Sequence, residues 1–139
     1  MNKRLFILLG LLFSILAAPS LHAEEKKEAE APKKAIYYAL EPAFVVNLQG
    51  GRRIHFMQVK VQLMTRDDNV VKAAEENQPP IRDAIIMLLA HQSGETMRSV
   101  QGREQVRQQA MAEVQKVLAE VAGIKEGIEA VYFTDFVIQ

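Results

Sequence analysis

From Tyr37 to Leu48 the large apolar side chains fall on alternate positions, with Tyr38, Leu40, Phe44, Val46 and Leu48 on one face and Glu41 and Asn47 on the other. Period two marks a strand with one buried face, and Pro42, which cannot donate to a ladder, marks an edge or bulge position. Arg53 to Thr65 repeats the pattern through Met57, Val59, Val61 and Leu63 against Gln58, Lys60 and Gln62. Ile54 and Phe56 fall on the opposite parity, which predicts a bulge near Phe56 and Met57. Gly50 and Gly51 between the two runs accommodate positive φ and predict a tight hairpin turn.

Beyond the hairpin the period changes to that of helices. Asp67 or Asp68 can cap a helix starting at Asn69, with Val70, Val71, Ala73 and Ala74 as a weak apolar face. Pro79 and Pro80 interrupt it, and a second helix starts there with Pro80 in its first turn. From Ile81 to Ala90 apolar residues occupy nearly all sides, which predicts a substantially buried helix whose charges are Arg82 and Asp83. Ser93 and Gly94 break it. Gly102 then precedes a long amphipathic helix to Ala122, apolar at Val106, Ala110, Val114, Val117, Leu118 and Val121 and stopped by Gly123. Ile128 to Ile138 is β-branched and aromatic on both parities, Val131, Phe133 and Val137 against Tyr132, Phe136 and Ile138, which predicts a strand inside the sheet or between layers. The order strand, strand, helix, helix, strand gives an α+β fold: an antiparallel hairpin plus a carboxy-terminal strand forming a small sheet, packed by a buried helix and a long amphipathic helix.

Upstream the pattern is of another kind. Lys3 and Arg4 precede an apolar run from Leu5 to Ala18, with Pro19, Ser20, Leu21, His22 and Ala23 after it. This reads as a secretory signal peptide over residues 1–23. The alternative is a short membrane anchor over residues 5–21, against which stands the length of about 20 apolar residues that a span requires. Residues 24–34 (EEKKEAEAPKK) contain nothing apolar larger than Ala and read as a charged, solvated tether. That leaves 35–139 as the folded domain.

Charge and composition narrow the chemistry. With 17 basic and 17 acidic side chains the chain shows no basic patch, which excludes nucleic acid as a partner. Absence of Cys excludes thiol catalysis, Fe–S clusters and Cys-ligated zinc. His55 and His91 stand in no paired ligand spacing, Ser93 and Ser99 in no nucleophile motif, and the Gly pair in no phosphate loop. No catalytic residue, metal ligand or cofactor site is expected, and Ser93 and Ser99 read as loop and cap residues. Two spots stand out: Arg82 with Asp83 at the start of an apolar helix, and Asp135 inside an apolar strand. A carboxylate there needs a partner. Either Asp83 sits near the helix amino terminus and Asp135 bonds a basic group or backbone N–H, or the two serve a polar contact at a subunit interface.

The run PPIRDAIIMLLAHQS, the Gly102 and Arg103 opening of the long helix, the carboxy-terminal VYFTDFVIQ and the hairpin start YYALEPAFVVNL, in that arrangement, resemble the flagellar basal-body-associated FliL family over residues 36–139. The resemblance implies a periplasmic domain related in shape to the stomatin and prohibitin domain and forming ring-like homo-oligomers. It implies association with the motor stators at the inner membrane, support of flagellar rotation, swimming or swarming, and neither enzymatic activity nor a cofactor. The family motif maps onto Pro80, Ile81, Arg82, Asp83, Gly102, Phe133, Thr134, Asp135 and Phe136, as structural or interface residues. Members ordinarily carry a cytoplasmic leader and a full transmembrane helix, whereas here a short apolar run begins at residue 5. The alternative is therefore a soluble periplasmic scaffold or adaptor of the same fold serving another envelope complex; in the main reading the membrane is touched only through the amino-terminal segment, if that is uncleaved.

Overall fold

Strict alternation makes β2 (His55–Thr65) the centre of the sheet: Met57, Val59, Val61, Leu63 and Thr65 are buried, while Phe56, Gln58, Lys60, Gln62 and Met64 point the other way. β1 (Ile36–Leu48) and β3 (Ala130–Ile138) pair with it antiparallel on either side, in the order β1-β2-β3. The computed structural model describes residues 31–139; the leader and residues 24–30 of the tether lie outside the described residues.

Four helices lie between β2 and β3: α1 (Asp68–Glu76), α2 (Gln78–Ala90), α3 (Gly94–Arg98) and α4 (Val100–Ala122). The Asp67 carboxylate accepts from the Asn69 N–H at 2.9 Å and starts α1. Pro79 and Pro80 occupy the first turn of α2, where a missing N–H costs nothing. Gly123, at φ 70°, closes α4 in the left-handed conformation. What read as a plain connection after Ser93 is α3, started by Ser93, whose Oγ accepts from Thr96 N; Ser99 then closes α3 with its backbone N–H on Glu95 O and Thr96 O and starts α4, its Oγ accepting from Gly102 N.

The result is the expected α+β architecture, with α2 packed over β1 and α4 over β3. Leu40, Phe44, Met57, Val59, Ile81, Ile85, Leu89, Met97 and Leu118 are fully buried between the layers. Each such side chain contributes roughly 1.5–3 kcal/mol over its exposed state.

Four local expectations are corrected. The hairpin is not tight: β1 ends at Leu48 and β2 begins at His55, and the loop between them is held by Gln49 N donating to Gln92 O at 2.8 Å. The glycines do adopt positive φ, 85° at Gly50 and 93° at Gly51. No bulge lies at Phe56 and Met57, because β1 and β2 stay in register from Leu48–His55 to Phe44–Val59. Ile54 and Phe56 simply carry apolar side chains on the outer side. β3 is an edge strand, not an internal one. Finally, α2 buries a single stripe, Ile81, Ile85 and Leu89, and leaves Ile86 39% and Met87 53% exposed.

Candidate functional site

Both flanking strands are irregular at the same level of β2. On β1, Glu41, Pro42 and Ala43 oppose Lys60 alone, between the Leu40–Val61 and Phe44–Val59 pairs. Three residues against one add two to the strand, so the inward alternation survives the bulge. The carbonyls it frees are collected by Arg82 from α2: Nη1 donates to Pro42 O at 2.7 Å and to Leu40 O at 3.1 Å. The same guanidinium stacks over the Phe44 ring, 4.1 Å from its centroid. Arg82 thereby joins α2 to β1 through two charge-assisted hydrogen bonds and a cation–π contact. Gln78 adds a fourth tie, its amide donating to Tyr38 Oη at 2.8 Å.

On β3 the count differs. Asp135 and Phe136 together oppose Val59, between the Lys60–Thr134 and Gln58–Val137 pairs. Two against one inverts the parity of the residues beyond the bulge. Val131 and Phe133 face the core before it, Phe136 and Ile138 after it, and Tyr132 and Val137 are turned outward. Asp135 sits at the inversion with φ 47°. That region is ordinarily left to Gly, Asn and Asp. Its carboxylate meets Lys60 Nζ at 2.8 Å on the open side of the sheet, so the acid inside an apolar strand is paired but not buried. The hydrogen bond to Asp135 raises the Lys60 ammonium above its ordinary pKa.

Asp83 departs from its expected place. It lies past the first turn of α2, makes no cap, is exposed, and takes part in no ion pair among the described residues. Arg82 and Asp83 thus point to different surroundings, the first into the fold and the second out of it. Pro80 is exposed at the head of the same helix, and Ile81 is wholly buried.

Gly102 marks a close approach. A methyl group there would run into the Thr96 carbonyl oxygen and lie 2.6 Å from Ser99 Oγ, so its bare Cα is what lets α3 fold back on α4. The junction is braced by Arg103, whose Nη1 donates to Met97 O at 3.1 Å and Arg98 O at 2.9 Å. One turn on, Arg107 Nη1 donates to Val131 O at 3.0 Å and takes an edge carbonyl of β3. Its Nη2 and Nε bind Glu104 at 2.6 and 2.8 Å, and Arg107 and Gln108 hold that carboxyl below its ordinary pKa. Between α4 and β3 these arginines rim a shallow groove of about 260 Å³ floored by Val100, Tyr132, Phe133 and Phe136. Arg103 lies 5.5 Å from the Phe136 ring centroid and Arg107 5.9 Å from that of Tyr132.

The named residues thus fall into three places: Pro80 to Asp83 over β1, Gly102 at the α3–α4 junction, and Phe133 to Phe136 at the β3 bulge. Lys60 links the two bulges. Arg103 and Arg107 look like part of a solvated face in the sequence, although their spacing of four puts both on the side of α4 that meets β3. Among the described residues no cluster of three or more His, Asp or Glu is arranged to hold a metal ion.

Profile comparison matches residues 37–139 to the flagellar basal body-associated protein FliL family. The chain belongs to that family. A FliL relative, flagellar protein FliL of Aquifex aeolicus (strain VF5), is 33% identical over 108 residues, which are 78% of this chain and 64% of the relative. The chain therefore spans somewhat less than two thirds of that FliL protein's length. No helix among the described residues is long and apolar enough to cross a membrane.

Proposed function

We propose that this FliL-family chain is a non-enzymatic accessory of the flagellar basal body, acting in the periplasm at the inner membrane by contact with the motor stator and with copies of itself. The family match over the whole domain is the observation that carries the reading. What the described residues do is in keeping with it: Arg82, Gly102 and Lys60 shape backbone and lock elements together. Such a protein acts geometrically, packing against a stator segment and biasing it toward its active arrangement. A bias of that kind requires only a few kcal/mol of differential binding.

The test is photo-crosslinking from exposed positions in intact motile cells, paired with swimming and swarming assays of a deletion strain. Stator proteins as the main products, with motility impaired most under viscous load, are the expected result. Products drawn instead from another envelope complex, with motility intact under load, would overturn the proposal in favour of a periplasmic adaptor. The mass of the protein recovered from cells decides the leader: a chain beginning at Glu24 is soluble, and one retaining Met1 in the membrane fraction is anchored.

A further inference from the structure

We propose that the loop between β1 and β2, with the outer sheet face beside it, is a lipid-binding tip that seats the folded domain on an anionic bilayer surface, at a place separate from the amino-terminal leader. The proposal rests on the reading of the chain as an accessory at the inner membrane and adds how the domain itself meets that membrane.

The cations follow from the hairpin sequence. Between Glu41 and Asp67 the chain carries Arg52, Arg53, Lys60 and Arg66 and no acidic residue. Lys60 is paired with Asp135 and Arg66 with Glu129, whereas Arg52 and Arg53, both exposed in the loop, take part in no ion pair among the described residues. Arg98 of α3, exposed and unpaired in the same sense, lines a hollow with Gly50, Gly51 and His55, and Glu95 is the acid there. Three arginines are too few to hold a nucleic acid, whose affinity sums many phosphate contacts. They suit a surface of lipid phosphates, where their attraction adds to the insertion of apolar side chains.

Those apolar side chains adjoin the loop. Ile54 is 70% exposed and Phe56 49%, both on the outer side of the sheet, and Phe56 lines a hollow of about 210 Å³ with the exposed Val45 and Val137. Val45 and Val137 both pair with Gln58, one from each side, so the patch runs across all three strands on the face the helices do not cover. Phe56 exchanges both main-chain hydrogen bonds with Gln139, at 2.9 and 2.8 Å, so its ring reaches the acyl boundary without an orphaned backbone group. The long stems of Arg52 and Arg53 let their guanidinium groups stay at the phosphates while Ile54 sits deeper. Towards the middle of the sheet the Lys60–Asp135 pair ends the patch and confines the contact to the loop end.

The chain contains no Cys, so a single engineered thiol carries a polarity-sensitive fluorophore to a chosen place. Full-length Ile54→Cys, labelled and mixed with vesicles of phosphatidylcholine and phosphatidylglycerol, should shift its emission to the blue and be quenched by nitroxide lipids. Labelled Asn69→Cys, four residues past Thr65, which pairs with Ile36 at the other end of the hairpin, should show neither. Vesicles of phosphatidylcholine alone, or about 0.5 M salt, should cut the quenching at Ile54→Cys about fivefold. Arg52→Glu with Arg53→Glu should do the same, and Arg52→Lys with Arg53→Lys should preserve it. A leader that holds the chain on vesicles of either kind produces none of these differences. A label at position 54 that stays in water on anionic vesicles, or quenching that the glutamate pair leaves unchanged, overturns the tip. A blue shift without vesicles that grows with protein concentration assigns the patch to a second copy and overturns it as well. Stator crosslinks in cells beside an unquenched label sink the tip alone; quenching without stator crosslinks sinks the stator reading and leaves the tip standing.

Discussion

Arg82 makes three contacts with one side chain, to Leu40 O, to Pro42 O and to the face of Phe44. Removing it leaves two carbonyls of the β1 bulge to find water. Arg82→Ala should cost about 2 kcal/mol, the sum of lost charge-assisted hydrogen bonds and stacking, in urea denaturation. Arg82→Lys should recover less than half of that, since an ammonium lacks the planar fork that lies on a ring and donates sideways together. Glu104 gives a pH signature. Its pKa is lowered in the fold by hydrogen bonds from Arg107 and then Gln108. A depressed carboxylate stabilises above its unfolded pKa of about 4.5, and that contribution is lost as pH falls through the lower folded value. Wild type and Glu104→Gln should therefore differ in stability at pH 7 and draw together as pH falls through the lowered folded value; curves that stay parallel throughout the acid range contradict the assignment.

Bulges and junctions decide how the elements fit, and they are where the linear pattern misleads. Alternation in β1 and β2 was legible because the β1 bulge adds two residues and keeps parity, so Leu40 and Phe44 look like neighbours in one stripe. β3 looked apolar on both faces because its bulge adds a single residue, exchanging parity between Phe133 and Phe136. An isolated Asp in such a run is the local sign of that inversion, since Asp tolerates φ 47° where Val or Phe does not. Asp135→Asn should accordingly cost at most about 0.5 kcal/mol although it removes the exposed pair with Lys60. Asp135→Val should cost about 2 kcal/mol. Equal losses would make the ion pair, not the backbone, the reason for the acid. Gly102 was legible as the start of the long helix, but not as a contact. Gly→Ala inside a helix ordinarily stabilises by about 1 kcal/mol. Here the added methyl meets the Thr96 carbonyl, so Gly102→Ala should destabilise, with a lower thermal midpoint as the readout.

At the scale of the whole molecule, α2 is the helix on which an effect on stability can be told from an effect at the surface. α2 reads in the sequence as buried nearly all round, yet only its Ile81, Ile85 and Leu89 stripe enters the core. Hydrophobic periodicity reports which side chains avoid water and is silent on whether their cover comes from the same chain or another. The two cases differ in what a substitution does. Leu89→Ala, at a site with 0% exposure, should cost about 2–5 kcal/mol and reduce motility by lowering the amount of folded protein. Ile86→Glu, at a site 39% exposed and away from the core, should change unfolding free energy by about 0.5 kcal/mol or less. If α2 is the working face of a basal-body accessory, Ile86→Glu should still reduce swimming in viscous medium at unchanged protein level. The comparison requires both measurements on the same strain, because a motility defect tracking abundance belongs to the core and one independent of abundance belongs to the surface. Normal motility with Ile86→Glu at wild-type abundance would remove the outward face of α2 from the function.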